Sequence, residues 1–227
     1  MAHYGRRVMV SLALAALALV AVAAIGEARP ILFARTPHVA QGKLVFSWHG
    51  DIWIAGADGA NPRRLTANLA RNTFPRLSPD GAWVAFSSNR MGNDDVWVMP
   101  AAGGEPRQLT FFSGSDAVLG WTPDGRRVLF STSRGPGAWG SPLYTVALDG
   151  GLPEPLPMDR AGDGMIRQDG SAVAFTRGAF RFARKGYRGN SSEDIWVQDL
   201  RTKAFTRLTD TNRQAVKSHV QDVNPMW

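Results

Sequence analysis

No cysteine occurs among the 227 residues, which excludes disulfides, thiolate zinc sites and cysteine nucleophiles together. The signatures of several common active sites are missing as well: there is no Gly-x-Ser-x-Gly elbow, His-Glu-x-x-His helix, Walker loop or EF-hand pattern. Gly135-Pro136-Gly137-Ala138-Trp139-Gly140 matches Gly-x-Gly-x-x-Gly. A dinucleotide site needs that motif to open a helix whose N-terminus receives pyrophosphate. Here Pro142 and a strand-like segment follow, so the glycines read as an inter-strand loop. Helical periodicity is absent after residue 28, which argues against a bundle. What is abundant points elsewhere. Apolar residues make up 44% and charged residues 20%, the balance of a packed domain. Gly 24, Pro 14 and Trp 8 suit short strands joined by turns.

The amino-terminal segment is set aside before fold reasoning. Arg6 and Arg7 precede an Ala- and Leu-rich run from Val8 to Ile25, and small residues lead to Gly26-Glu27-Ala28. Residues 1–28 are read as a signal peptide, with an uncleaved anchor as the alternative because such a helix would span about 27 Å. The chain is therefore expected to be exported, periplasmic or extracellular. Lys+Arg 26 against Asp+Glu 19 gives a net charge of +7. That charge is spread along the chain apart from the run Arg177, Arg181, Arg184, Lys185 and Arg188, and no nucleic-acid motif accompanies it, so no nucleic-acid partner is expected.

Internal repeats carry the most information. Asp51-Ile52-Trp53-Ile54 returns as Asp95-Val96-Trp97-Val98 and Asp194-Ile195-Trp196-Val197, with Leu143-Tyr144-Thr145-Val146 as a degenerate copy. Arg64-Leu65-Thr66 returns as Gln108-Leu109-Thr110 and Arg207-Leu208-Thr209. Ser78-Pro79-Asp80-Gly81 returns as Thr122-Pro123-Asp124-Gly125 and, more weakly, as Arg167-Gln168-Asp169-Gly170. Trp53 and Trp97, Leu65 and Leu109, and Asp80 and Asp124 all stand 44 positions apart.

Each unit reads as four short strands. The Asp-Gly step is a hairpin turn. The strand after it alternates, placing Val84/Phe86, Val128/Phe130 and Val173/Phe175 on one face, with Leu44/Phe46 as the earlier pair. The Trp- or Tyr-bearing strand reads as buried on both faces. Four strands per unit of roughly 40 to 45 residues describe a β-propeller of four-stranded antiparallel blades. About four blades are expected. Residues 29–42 read as a lead-in, and residues 43–227 as blades, of which the first has three strands (43–66). Asn224-Pro225-Met226-Trp227 aligns with Phe74-Pro75-Arg76-Leu77, so the chain reads as ending at the start of a further blade. An open arc would leave two apolar blade faces uncovered, which makes a second copy of the chain one expected partner.

The combination of Asp-Ile-Trp-Val, Arg-Leu-Thr and Ser-Pro-Asp-Gly resembles the Tol-type, WD-like propeller repeat. Within that group the opening His49-Gly50-Asp51-Ile52-Trp53, the stretch Leu109-Thr110-Phe111-Phe112-Ser113-Gly114 and Lys185-Gly186-Tyr187-Arg188-Gly189 resemble the amino-terminal propeller of tricorn-type serine proteases. The resemblance covers roughly residues 38 to 227. It implies a six-bladed propeller, completed by later blades and followed by a second propeller, a PDZ-like domain and a serine-peptidase core, and a role in gating peptides. The nucleophile and base would then lie beyond Trp227, and no catalytic, metal or cofactor residue is expected here. Arg184, Lys185, Tyr187 and Arg188 are the candidate contacts for a peptide or protein partner. Ser115-Asp116-Ala117-Val118 reads as a short loop that departs from the archaeal tricorn pattern in lacking paired arginines for a substrate carboxylate. Two other readings stay open: a protein-binding propeller of the Tol-Pal type, and the propeller of a prolyl-oligopeptidase-like α/β-hydrolase.

Other candidates read as structural. His38, His49 and His219 fall in different repeats and do not suggest convergence on a metal. Asn93-Asp94-Asp95 could suggest calcium, but Asp95 recurs as Asp51 and Asp194, which marks it as a feature of the repeat, in capping or turn bonding. Trp53, Trp97 and Trp196 recur inside strands and read as blade core rather than a stacking platform. Asn190-Ser191-Ser192 is a glycosylation sequon of consequence only in a eukaryotic secretory host. The exported chain is expected to begin near Arg29, so intact-mass measurement should find residues 1–28 removed; a membrane-bound product retaining Met1 would establish the anchor instead.

Overall fold

A computed structural model of the chain describes residues 33–134, 142–158, 161–177 and 194–209. Among these residues every regular element is a strand, and the strands form four antiparallel sheets of four. The first blade contains β1 (Arg35–Ala40), β2 (Lys43–Trp48), β3 (Asp51–Gly56) and β4 (Arg63–Arg64). The second contains β5 (Asn72–Leu77), β6 (Trp83–Ser88), β7 (Asp95–Pro100) and β8 (Arg107–Gln108). The third contains β9 (Asp116–Trp121), β10 (Arg127–Thr132), β11 (Leu143–Ala147) and β12 (Glu154–Pro155). The fourth contains β13 (Gly164–Ile166), β14 (Ala172–Arg177), β15 (Asp194–Asp199) and β16 (Phe205–Arg207). In each sheet the strands pair in chain order.

The Asp-Gly turns are equivalent, as the repeat requires. In the second blade Gly81 N–H donates to Ser78 O at 2.8 Å and Ser78 N–H to Trp83 O at 2.9 Å. Asp80 Oδ1 accepts from the Ser78 hydroxyl at 2.5 Å and from Ala82 N–H at 3.0 Å. Thr122, Asp124 and Arg126 repeat these bonds at 2.6 Å and 3.1 Å. Gly81, Gly125 and Gly170 have φ of 69°, 69° and 73°, a conformation that a Cβ would strain. The Ser78 hydroxyl, then Ala82 N–H, hold the Asp80 carboxyl below the usual carboxylate range.

Packing follows from strand alternation. Val84, Phe86, Trp97 and Met99 of the second blade meet Val45, Ile52 and Ile54 of the first. Ala85, Val96 and Val98 point the other way, to Val118, Val128, Phe130 and Val146 of the third. Leu129 and Leu143 then meet Val173 and Phe175 of the fourth. Successive strand residues thus fill opposite seams, and Phe86, Phe130 and Phe175 are all 0% exposed. The shared face expected for each Val/Phe pair is present. The third seam is tight enough that a Cβ on Gly164 would lie 2.4 Å from Leu143 Cδ1. First strands of adjacent blades lie side by side, β1 with β5, β5 with β9 and β9 with β13. Among the described residues these strand contacts link each blade to the next, and the strands form four separate sheets.

Three expectations need correction. The first blade has four strands, because β1 lies within the stretch read as lead-in. Thr36-Pro37 hides it: the register shifts between Arg35 and His38, and Thr36 has φ of 49°. Phe74-Pro75 makes the same bulge in β5, where Phe74 has φ of 52°. A proline and an unpaired residue together break the alternation that signals a strand. The degenerate copy in the third blade is Pro142-Leu143-Tyr144-Thr145, one residue earlier than the sequence suggests, since Phe130 faces Tyr144 as Phe86 faces Trp97. The third correction concerns Asp116-Ala117-Val118, which opens strand β9 rather than lying in a loop.

Polar bonds also cross the seams. Leu77 N–H donates to His38 Nδ1 at 3.2 Å. Arg76 Nε donates to Leu119 O, and Trp121 Nε1 to Arg76 O, both at 2.9 Å. Burial, then the Arg76 guanidinium, lowers His38 from 6.5 to about 4. The unfolded chain therefore takes up this proton first, so stability is fully present above about 6.5 and declines as pH falls toward about 4. Thermal melts across that window should show His38→Gln, which keeps an acceptor for Leu77 N–H, losing less stability on acidification than the parent; equal slopes would remove His38 from the seam.

Candidate functional site

The repeated Asp and Arg-Leu-Thr motifs meet in one polar clasp. In the first blade the Thr66 hydroxyl donates to Asp51 Oδ1 and accepts from Ile52 N–H, both at 2.9 Å, while Arg64 Nη2 donates to Asp51 Oδ2. In the second, Thr110 bridges Val96 N–H at 2.9 Å and Asp95 Oδ1 at 3.2 Å, with Gln108 Nε2 on Asp95 Oδ2 at 3.1 Å. The fourth repeats the bridge from Ile195 N–H at 2.9 Å through Thr209 to Asp194 Oδ1 at 3.4 Å, with Arg207 Nη2 on Asp194 Oδ2. Asp51, Asp95 and Asp194 are 5%, 2% and 4% exposed. Their role is to tie the third strand of a blade to the segment closing its fourth, since a buried carboxylate needs such donors.

The third blade lacks this clasp. Leu156 N–H bonds Leu143 O at 2.8 Å, just as Leu109 N–H bonds Val96 O. That register puts Pro142 at the Asp position, Pro157 at the Thr position and Pro155 at the Arg or Gln position. The seam recovers polar contact differently, with Gln198 Nε2 of the fourth blade donating to Pro157 O at 2.8 Å.

Arginine–aromatic stacks mark the same end of the blades. The Arg90 guanidinium lies 4.3 Å from the Trp97 ring centre and donates to Asn72 Oδ1 at 2.9 Å. At the equivalent place Arg134 lies 4.8 Å from Phe112 and 5.6 Å from Phe130, and pairs with Asp116 Oδ2 at 2.7 Å. Beside Arg134 is a cleft of about 250 Å³ lined by Leu109, Thr110, Phe111, Phe112, Arg134, Gly151, Leu152 and Pro153. Phe111 and Leu152 on its walls are 78% and 90% exposed. An apolar side chain is what such a surface can receive.

Arg184, Lys185, Tyr187 and Arg188 lie outside the described residues, as do His219, Asn190-Ser191-Ser192, Gly135 to Gly140 and residues 1–28. Of the other candidates, His38 belongs to the first seam, and His49 opens a tight turn with φ of 49°. Asn93 Nδ2 donates to Phe112 O at 2.8 Å and Gly114 O at 2.6 Å, and Asp94 pairs with Arg71 at 2.6 Å. Among the described residues no group of three or more His, Cys, Asp or Glu is placed to hold a metal. Trp97 is buried core at 7% exposure, whereas Trp53 and Trp196 are half-buried. Two links escaped the sequence reading. Arg63 and Arg107, at equivalent positions, reach into the next blade to Ala101 O and Leu148 O. Their signal was a recurring Arg one place before Arg64 and Gln108.

The clasp has a measurable cost of removal. Thr66→Val leaves Asp51 Oδ1 and Ile52 N–H without their shared partner and should cost about 1–3 kcal/mol in denaturant unfolding. Thr66→Ser should restore most of it; a Val variant as stable as the parent would show that the clasp contributes nothing.

Similarity to known proteins agrees with this architecture. Residues 31–227 match the family model of the tricorn protease N-terminal beta propeller domain. Tricorn protease homolog 1 of Streptomyces coelicolor is 33% identical over 184 residues, which is 78% of this chain and 17% of that protein. The chain thus spans about a sixth of that relative's length. The crystal structure of the tricorn protease superposes with a TM-score of 0.65 at 26% identity, over 78% of this chain and 18% of that one. The putative TolB from Agrobacterium tumefaciens shares the fold, with a TM-score of 0.62 at 22% identity over 78% of this chain and 62% of its own. Repeats, blades and family match agree: the chain belongs to the family of tricorn protease N-terminal β-propeller domains.

Proposed function

We propose that this chain is the non-catalytic propeller region of an exported tricorn-like serine protease, acting in peptide gating or protein interaction. The family match over residues 31–227 carries the reading. Its partners are peptides or proteins and the remainder of its own polypeptide: later blades, PDZ-like and peptidase domains. The arginine pair preceding an Ala- and Leu-rich run supports export to the periplasm or extracellular space. The polar groups of the repeats support a scaffolding role, because Asp51, Asp95, Asp194 and their Thr partners are consumed in tying the third strand of a blade to the segment that closes its fourth.

Contact with peptide is assigned to Arg184, Lys185, Tyr187 and Arg188. In the full-length protein, Tyr187→Ala and Arg188→Ala should change peptide turnover several-fold and leave the melting temperature nearly unchanged. A large loss of melting temperature would make the segment structural, and unchanged turnover would remove it from gating. The likeness to the TolB structure favours a second reading, a protein-binding module without a peptidase. The coding sequence after Trp227 separates the two: a PDZ-like segment and peptidase core support the first, and termination after six blades the second.

A further inference from the structure

The seam between the second and third blades contains a buried acidic couple that its counterpart lacks. Asn72 and Asp116 are equivalent, each opening the first strand of its blade. Asn72 is 0% exposed and satisfied as an amide: it donates to Gly50 O at 2.8 Å and accepts from Arg90 Nη2 at 2.9 Å. Asp116 is also 0% exposed. Arg134 takes Oδ2 at 2.7 Å, but among the described residues Oδ1 has no hydrogen-bond partner. Asp95, 2% exposed, lies near enough to feel the Asp116 charge, and the Thr110 hydroxyl donates to its Oδ1 at 3.2 Å.

Thr110 faces both carboxyls and has one proton to donate. It accepts from Val96 N–H at 2.9 Å, so with Asp95 served it has nothing to give Asp116. Thr132 also faces Asp116, yet no bond closes on Oδ1. Of the other charged groups at the seam, Asp94, whose C=O accepts Asp116 N–H at 2.7 Å, pairs with Arg71 through Oδ2, while its Oδ1 has no partner among the described residues. An ionised, fully buried oxygen with no donor is costly, whereas a protonated one becomes a donor itself.

We propose that Asp95 and Asp116 hold one proton between them in the folded chain, and that its release to solvent as pH rises weakens the seam between the second and third blades. Asp116 is its main site, because only there does the proton supply a donor where none exists. Burial pushes both carboxyls above the usual carboxylate range, and Asp116 adds to the effect at Asp95. Groups raised on folding stabilise fully below their unfolded value and lose that stabilisation as pH rises through the folded one. The direction is opposite to that of His38, so the two are separable.

Asp116→Asn tests the couple, because it recreates the Asn72–Arg90 pair in the third blade. In the full 227-residue chain, melting temperature should fall in the parent relative to the variant as pH rises from the ordinary carboxylate value of 3.8 through the raised folded one, and the variant should be at least as stable at the upper end of that range. Parallel profiles, or a variant less stable throughout, would overturn the proposal. If the variant does not fold, infrared spectroscopy of the parent carrying ¹³C-aspartate gives the answer directly. A protonated carboxyl band that persists above the ordinary carboxylate range and disappears as pH is raised further supports the couple; absence of that band refutes it.

Discussion

The two interior sheets among the described residues, those of the second and third blades, are buried on both faces, and most other features follow from that constraint. A sheet that meets water on one side can alternate apolar and polar residues; one wedged between two others cannot. Trp97 and Met99 fill one seam while Val96 and Val98 fill the next, so β7 is apolar almost throughout. Such a strand places its own terminal polar groups in a desolvated setting. The Asp-Thr clasp answers this by closing a carboxylate, a hydroxyl and a backbone N–H on one another. It lies at the strand end, where the register between the third strand and the segment after the fourth would otherwise depend on two-residue ladders alone.

The blades are repeats in sequence but not copies in energetics. The third blade places proline at all three clasp positions and relies on a cross-seam bond from Gln198. The first seam uses Asn72 where the second uses Asp116, and His38 where the second uses Arg76 with Trp121. In a solenoid-like array, where stability is a sum of unit and neighbour terms, such local differences decide which seam yields first. The acidic couple at one seam and the imidazole at another respond to pH in opposite directions. A chain built from one motif can therefore open differently in acid and in alkali.

Function is carried by what the scaffold leaves unused. Conserving the blade consumes the recurrent Asp, Thr and Trp residues, so they are poor candidates for contact with a partner even though they dominate the motif. Among the described residues, the exposed apolar side chains of the cleft lined by Phe111, Phe112 and Leu152, at the seam between the second and third blades, are non-recurrent and free of that duty. The chain belongs to the tricorn propeller family and spans about a sixth of the length of its Streptomyces coelicolor relative.

Periodicity made the blades legible in the sequence. Hairpin turns are local: Asp80-Gly81 and Asp124-Gly125 need only their own side chains and a positive φ, so they were found at their exact places. The Val/Phe alternation was equally readable, because strand period is a property of the backbone. The strand β1 was not, since the Thr36-Pro37 bulge removes the alternation that reveals it, and the third-blade register was not, since prolines replace the marker residues. The meeting of Asp51 with Thr66, of Arg63 with Ala101 O, and of Leu77 N–H with His38 joins segments far apart in the chain or in different blades. Sequence determined the repeating unit through local backbone preference; the stacking of one unit on another decided which polar groups are buried together, and burial is what gives them their chemistry.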